Sequence, residues 1–343
     1  MSRLDLADYD FALPQALIAQ QPAARRDAAR MLVLARAQRR LAHAQVSELP
    51  SWLSAGDLLV VNETRVLPAR LRGHKQSGGR VELLLLGPGA RPGRYRALLR
   101  GRARTGAKLR LSGGGRALEA EVAALGAEGE VELAFEPGCD PYSVGETPLP
   151  PYIERPSPRA EDAERYQTCY ARVPGSVAAP TAGLHLSPEL LARLDAAGIE
   201  LARVVLHVGP GTFRPPRPED LARGELHPEP YELPARAAAQ VGAARARGAR
   251  VVAVGTTSAR VLESCASPGR RVQAGRGTTT LLLAPGRRFD VVDALLTNFH
   301  LPRSSLLLLA AAFAGRSAIL SAYAEAIARG YRFYSYGDAM LIL

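Results

Sequence analysis

The feature that most constrains the fold is a change of texture in mid-chain. Between about Leu67 and Leu149 the sequence breaks into short apolar or alternating runs, "GGRVELLLLGPG", "GRYRALLR", "GAKLRLSGGG", "RALEAEVAAL" and "GEVELAFEPG", separated by glycine-rich turns. None has the length and period of a convincing helix. Short strands between tight turns predict a small antiparallel barrel or sandwich, because a small closed sheet needs only a few residues per strand to cover its interior.

On either side the texture differs. Before Val66, "LPQALIAQQ" reads as a helix, "RMLVLAR" as a short buried strand, and "GDLLVVNETRV" as a strand running into the polar turn Asn62-Glu63-Thr64-Arg65. The Pro-rich "ETPLPPYIERPSP" returns the chain to this pattern. From about Tyr166, strands such as "ELARVVLHVG", "ARVVAVG", "TTTLLLAPG" and "DVVDALLTNF" alternate with helices such as "SPELLARLDAAG", "PARAAAQVGAARARG", "TTSARVLESCAS" and "RSSLLLLAAAFAG". Ser187 reads as an N-cap, Pro188 as N1 and Gly198 as a stop. The alternation predicts an α/β fold with a mostly parallel sheet and flanking helices. Residues 1–66 and 150–343 would form it as one discontinuous domain, with 67–149 as the inserted barrel.

Hydrophobic content of 47% over 343 residues is ample for a large core. The first residues lack a basic head before an apolar stretch, and the longest apolar run, Leu306 to Gly315, is too short to span a bilayer. A cytoplasmic protein without membrane contact is expected. Cys139, Cys169 and Cys265 are scattered and predict free thiols, with neither a metal site nor an iron–sulfur cluster. Net charge is +11, which permits a polyanionic partner such as RNA without demanding one. Lys75 and Lys108 are the only lysines, so 44 − 2 = 42 of the basic residues are arginines. That bias, with abundant alanine, is what GC-rich codon usage produces.

Ligands of open α/β sheets collect beyond the carboxyl ends of parallel strands. The residues there are Asn62 to Arg65, His207 with Gly209 to Phe213, Gly255 to Arg260, and His300 in "TNFHLPRSS". Gly255 before Thr256, Thr257 and Ser258 supplies free N–H groups at a helix start, suited to an anion or carboxylate, unless a hydroxyl merely caps the helix. Arg260 and Glu263 are spaced to pair with each other. His207 reads as a core histidine, whereas Pro302 keeps His300 off a regular helix. The loop "GSVAAPTAGLHL" brings small residues and His185 to another helix start. No P-loop, G-x-G-x-x-G, G-x-S-x-G or H-E-x-x-H pattern occurs, so common nucleotide, hydrolase and metal chemistries find no support.

The strings "YQTCYA", "GSVAAPTAGLHL", "LHVGPGTF", "AVGTTSARVLES", "DALLTNFHLPRSSLLLLAAAFAG" and "YRFYSYGDAMLI", with "GDLLVVNETRVLPARLRG" near the start, resemble the S-adenosylmethionine:tRNA ribosyltransferase-isomerase family of queuosine biosynthesis. The resemblance runs from about Tyr9 to Leu343 in family order; Leu186, Cys169 and Glu63 depart from common Phe, Val and Asp, and the stretch before His227 lacks the usual His and Met. It implies an α/β domain with a β-barrel insertion. It also implies that the ribosyl unit of S-adenosylmethionine, a co-substrate rather than a prosthetic group, is transferred and isomerised onto the preQ1 base at a tRNA wobble position. The products would be epoxyqueuosine-tRNA, adenine and methionine. On that reading, His300, His185, His207 and Glu63 are candidates for acid–base work, since ring opening needs a base beside the sulfonium and an acid for adenine. Gly255, Thr256, Thr257, Ser258, Arg260 and Asn298 are candidates for holding S-adenosylmethionine. Two rival readings are a non-catalytic tRNA-binding protein and an S-adenosylmethionine-dependent transferase acting on a small metabolite.

Overall fold

The computed structural model describes residues 4–155, 157, 159–213 and 215–343. Nine strands form the main sheet: β1 (Arg30–Ala35), β2 (Arg40–Gln45), β3 (Leu58–Asn62), β4 (Glu200–Leu206), β5 (Glu225–Leu233), β6 (Val251–Val254), β7 (Gly275–Leu281), β8 (Ala294–Asn298) and β9 (Ala339–Ile342). Their order is β7-β5-β4-β3-β6-β8-β9-β1-β2. Alternate residues of the central strands bury opposite faces: Leu58, Val60, Val204 and Leu295 in one core, Leu59, Val61, Val252 and Leu296 in the other. Helices cover both faces, which is why these strands read as continuous apolar runs.

The sheet is mixed, which corrects the mostly parallel arrangement expected from the sequence. β4, β3, β6 and β8 run parallel, as do β9 and β1. The pairs β1–β2, β4–β5, β5–β7 and β8–β9 are antiparallel. The last has a simple cause. One crossover helix returns a chain to the start of the sheet, but two helices, Ser305–Ala314 and Arg316–Ala328, bent by 114° at Gly315, return it to the rim it left. β9 therefore begins where β8 ends, with Ala339 opposite Asn298.

One local expectation also changes. "LPQALIAQQ" forms only a 3₁₀ turn, Gln15–Leu17, because the chain then pairs as a bridge, with Phe333 N–H donating to Leu17 O at 2.8 Å. "GELHPEPYEL" is strand β5 despite Pro228 and Pro230, and a register shift between Glu225 and Glu229 absorbs the break.

The middle segment closes into a six-stranded antiparallel barrel from Arg70–Lys75, Arg80–Pro88, Arg94–Arg100, Lys108–Gly113, Arg116–Leu125 and Glu130–Phe135. Leu71, Leu83, Leu85, Leu111, Val122 and Leu133 fill its interior. Its two ends meet: Arg70 and Glu146 exchange backbone hydrogen bonds of 3.1 and 2.8 Å. Among the described residues no single helix is long and apolar enough to cross a membrane.

Candidate active site

Because β3, β4, β6 and β8 are parallel, Asn62, Leu206, Val254 and Asn298 end on one rim, where β9 begins. Three chambers of about 310, 160 and 40 Å³ lie there, and Thr212 and Leu306 line all three, so they form one cleft. Apolar walls from Leu226, Leu283, Leu306 and Leu309 surround the largest. Tyr152, Phe299 and Tyr334 line the second.

The floor is the turn from β6 into the helix Gly255–Ser264. Gly255 takes φ +85°, a conformation costly to residues with a Cβ, and this lets the helix start at once. No side chain caps that start. Ser258 turns inward and donates to Val254 O at 2.8 Å, so it does not serve the free N–H groups. Thr257 is 7% exposed and lines both the largest and the smallest chamber at the helix start. Its hydroxyl is buried without a hydrogen-bond partner.

Arg260 does not pair with Glu263, contrary to the spacing argument. Its guanidinium pairs with Glu229 through Nη1 and donates from Nε to Leu281 O at 3.0 Å, leaving buried Nη2 without a hydrogen-bond partner. Glu263 instead accepts from the backbone N–H groups of Asp290, Val291 and Val292 at 2.8 to 3.0 Å. Glu229 also accepts from Gly209 N and the Thr212 hydroxyl, both at 2.8 Å, so one carboxylate fixes the β4 loop against the helix. Glu229 does not stand out in the sequence, whereas Thr212 lies in the rim loop Gly209 to Phe213 that does. The one signal for Glu229 is a charged residue between two prolines on a strand beside the His207 segment.

His300 is 7% exposed and borders two chambers. Its Nε2 lies 2.8 Å from the Thr297 hydroxyl, and its backbone N–H donates to the Tyr323 hydroxyl at 2.9 Å. Burial pushes its imidazole down to about 3. His185 sits behind Asn298, and burial pushes it to about 4. Asn298 Nδ2 donates to His185 Nε2 at 3.1 Å and to Tyr334 O at 3.1 Å, while Oδ1 accepts from the Thr181 hydroxyl at 3.0 Å. His185 therefore presents an unprotonated Nε2 to Asn298. Tyr334 holds φ +71°, a strained conformation for a side-chain-bearing residue, fixed by its N–H donating to Phe299 O at 3.0 Å.

The cleft thus gathers Gly255, Thr256, Thr257, Arg260, Asn298 and His300. The other candidates lie outside its lining. His207 is half-buried, with Nδ1 2.8 Å from the Thr64 hydroxyl and its ring packed on Gly175, and burial lowers its pKa. Glu63 is buried at the β3 end, where Arg172 donates to Oε1 at 3.0 Å and Arg203 approaches Oε2 at 3.6 Å. His227 lines the largest chamber and lies against Gly211.

An α/β sheet carrying a barrel, with a cleft bordered by the neutral His300 and by unmatched buried polar groups, defines an enzyme-like scaffold with a preformed ligand site. The chain belongs to the queuosine biosynthesis protein family, whose model matches residues 6–342. It is 54% identical over 349 aligned positions to the S-adenosylmethionine:tRNA ribosyltransferase-isomerase of Anaeromyxobacter dehalogenans (strain 2CP-C), covering 98% of this chain and 99% of the relative. The enzyme of the same description from Thermus thermophilus is 51% identical, with 98% and 99% covered. The crystal structure of S-adenosylmethionine tRNA ribosyltransferase from Thermotoga maritima is similar at 36% identity and a TM-score of 0.58, covering 98% of this chain and 100% of that one.

Proposed function

We propose that the protein is an S-adenosylmethionine:tRNA ribosyltransferase-isomerase of queuosine biosynthesis. It moves the ribosyl unit of S-adenosylmethionine to the preQ1 base of a tRNA anticodon and isomerises it, releasing adenine and methionine. Family membership along almost the whole chain supports the activity. The observation that carries the site is the pair of buried groups without hydrogen-bond partners, Thr257 Oγ1 and Arg260 Nη2, beside an uncapped helix start. Leaving such groups unmatched costs about 1–3 kcal/mol each, which a bound anionic group of the substrate recovers. The methionine carboxylate fits that place, with Gly255, Thr256 and Thr257 presenting N–H and hydroxyl donors. The apolar chamber of about 310 Å³ suits the adenine ring.

His300 borders the space between this site and the tyrosine-lined chamber, so it is the foremost candidate for the proton acceptor, with Asn298 and His185 positioned behind it. At pH 7 it is unprotonated, as a proton acceptor must be, but with its pKa pushed down to about 3 it is a weak base until a bound substrate raises it. His207 and Glu63 stand outside the cleft lining, so any part they play runs through the strand ends they hold. Residues 67–149 act as a unit set into the discontinuous domain of 1–66 and 150–343, supported by the hydrogen bonds between Arg70 and Glu146. Location in the cytoplasm and a monomeric state complete this reading. The test is adenine release from S-adenosylmethionine. It should require preQ1-containing tRNA; release that is equal with free small-molecule acceptors, or absent with any acceptor, would refute the assignment.

A further inference from the structure

Both lysines of this chain stand in one groove. Lys75 ends one barrel strand, Lys108 begins another, and Arg102 and Arg104 lie in the loop leading to it. Together with Gln76 and Ser77 these four cations line a groove of about 600 Å³ at one end of the barrel. It shares no lining residue with the cleft described above.

Two observations separate this groove from the general arginine excess. The first is convergence without neutralisation. Elsewhere on the barrel Arg70, Arg72 and Arg94 pair with Glu82, Glu146 and Glu132, and although Arg80, Arg96, Arg100, Arg110 and Arg116 make no ion pair among the described residues either, none of them lines this groove. Among the described residues, none of the four groove cations has an ion pair, and Glu121, opposite Lys108 in the ladder, makes none with it. The second is residue choice. The only two lysines of a chain with 42 arginines (44 basic residues less two lysines) both line this groove, where a compact ammonium supplies several donors at one point. Lys75 illustrates this: its Nζ donates to Arg102 O at 3.0 Å, bracing the loop and leaving two donors free. Its stem also lies close against Gly79, where an added Cβ would meet Cε at 2.6 Å.

We propose that this groove binds the phosphodiester backbone of the RNA substrate, as a positioning surface that reads charge and not base sequence. This rests on the reading that the substrate is a tRNA, and adds where the barrel holds it. Spaced cations without carboxylate partners suit a polyanion, since each phosphate they neutralise releases condensed counterions.

The experiment measures binding of a preQ1-containing anticodon stem-loop RNA against salt, for the wild type and for the combined variant Arg102→Ala, Arg104→Ala, Lys108→Ala. Lys75 is left in place because it braces the loop. The slope of log K against log salt should fall by about 0.7–0.9 per lost contact, roughly two to three in all, and equally for an unmodified stem-loop. Lys108→Arg alone, which keeps the charge, should keep the slope. An unchanged slope in a variant with wild-type melting temperature overturns the groove. So does loss of binding to anionic phosphatidylglycerol vesicles with RNA binding intact. If wild type binds the RNA and releases adenine while the triple variant matches it, only the groove fails. If wild type does neither, the tRNA reading falls and this proposal with it.

Discussion

His300 and His185 are buried as neutral imidazoles, and the consequences are measurable. Each has a folded pKa below its ordinary value of 6.5, at about 3 and about 4. Unfolding therefore takes up protons between those values and pH 6.5. The stabilisation is fully present above pH 6.5 and lost as pH falls towards the folded values, at about 1.4 kcal/mol per pH unit per imidazole. Denaturant titrations from pH 7 to 4 should show this slope, and His300→Gln should remove about half of it; an identical slope in the variant would place the uptake elsewhere. His300→Ala should lower kcat by about 10²–10⁴-fold in folded enzyme if it accepts the proton. Loss of melting temperature with the rate per folded molecule retained would make it structural. Thr257→Val, which keeps shape and removes the hydroxyl, should act mainly on KM for S-adenosylmethionine, by about tenfold. At this scale the sequence was informative where a rim follows a strand: Thr257 and His300 were visible in that way, and Asn298 only through the family resemblance. Arg260 was visible too, but its partner was not, because Glu229 comes from another strand and no local spacing connects them. His185 and His300 could not be ranked for the same reason, since the contact that places His185, with Asn298, spans 113 residues of chain.

The helix Gly255–Ser264 is the element on which the site depends. Its immediate start after β6 requires the positive φ of Gly255, and an alanine Cβ there would meet only ordinary contacts, with Ala182 Cβ at 3.6 Å. Gly255→Ala should therefore destabilise through backbone strain and not collision, by about 1–2 kcal/mol, and should raise KM for S-adenosylmethionine as the helix start shifts. Chemical denaturation and steady-state kinetics on one preparation check both; a stability loss with unchanged KM would separate this turn from ligand binding. Periodicity located this helix, the capped helices at Pro188–Ala196 and Ser305–Ala314, and the barrel strands, because their signals are local. It did not locate strand direction. Whether β9 runs with or against β8 depends on two helices folding back at Gly315, and β5 is disguised by prolines that only its bulge explains.

For the whole molecule, the division of labour is between a barrel that presents unpaired cations and a sheet whose rim holds a preformed cleft. Composition hid the first, since an arginine-rich chain looks basic everywhere, and only the fold brought Lys75 and Lys108 together. The central claim is that the ribosyl carbons of S-adenosylmethionine, not its methyl group, end on the RNA. The most direct measurement uses two preparations of S-adenosylmethionine, one labelled in the ribose and one in the methyl group, each incubated with preQ1-containing tRNA. Ribose label should enter the RNA in step with adenine release, and methyl label should leave entirely with methionine. Methyl label on the RNA, or ribose label released with the nucleobase, would contradict that claim.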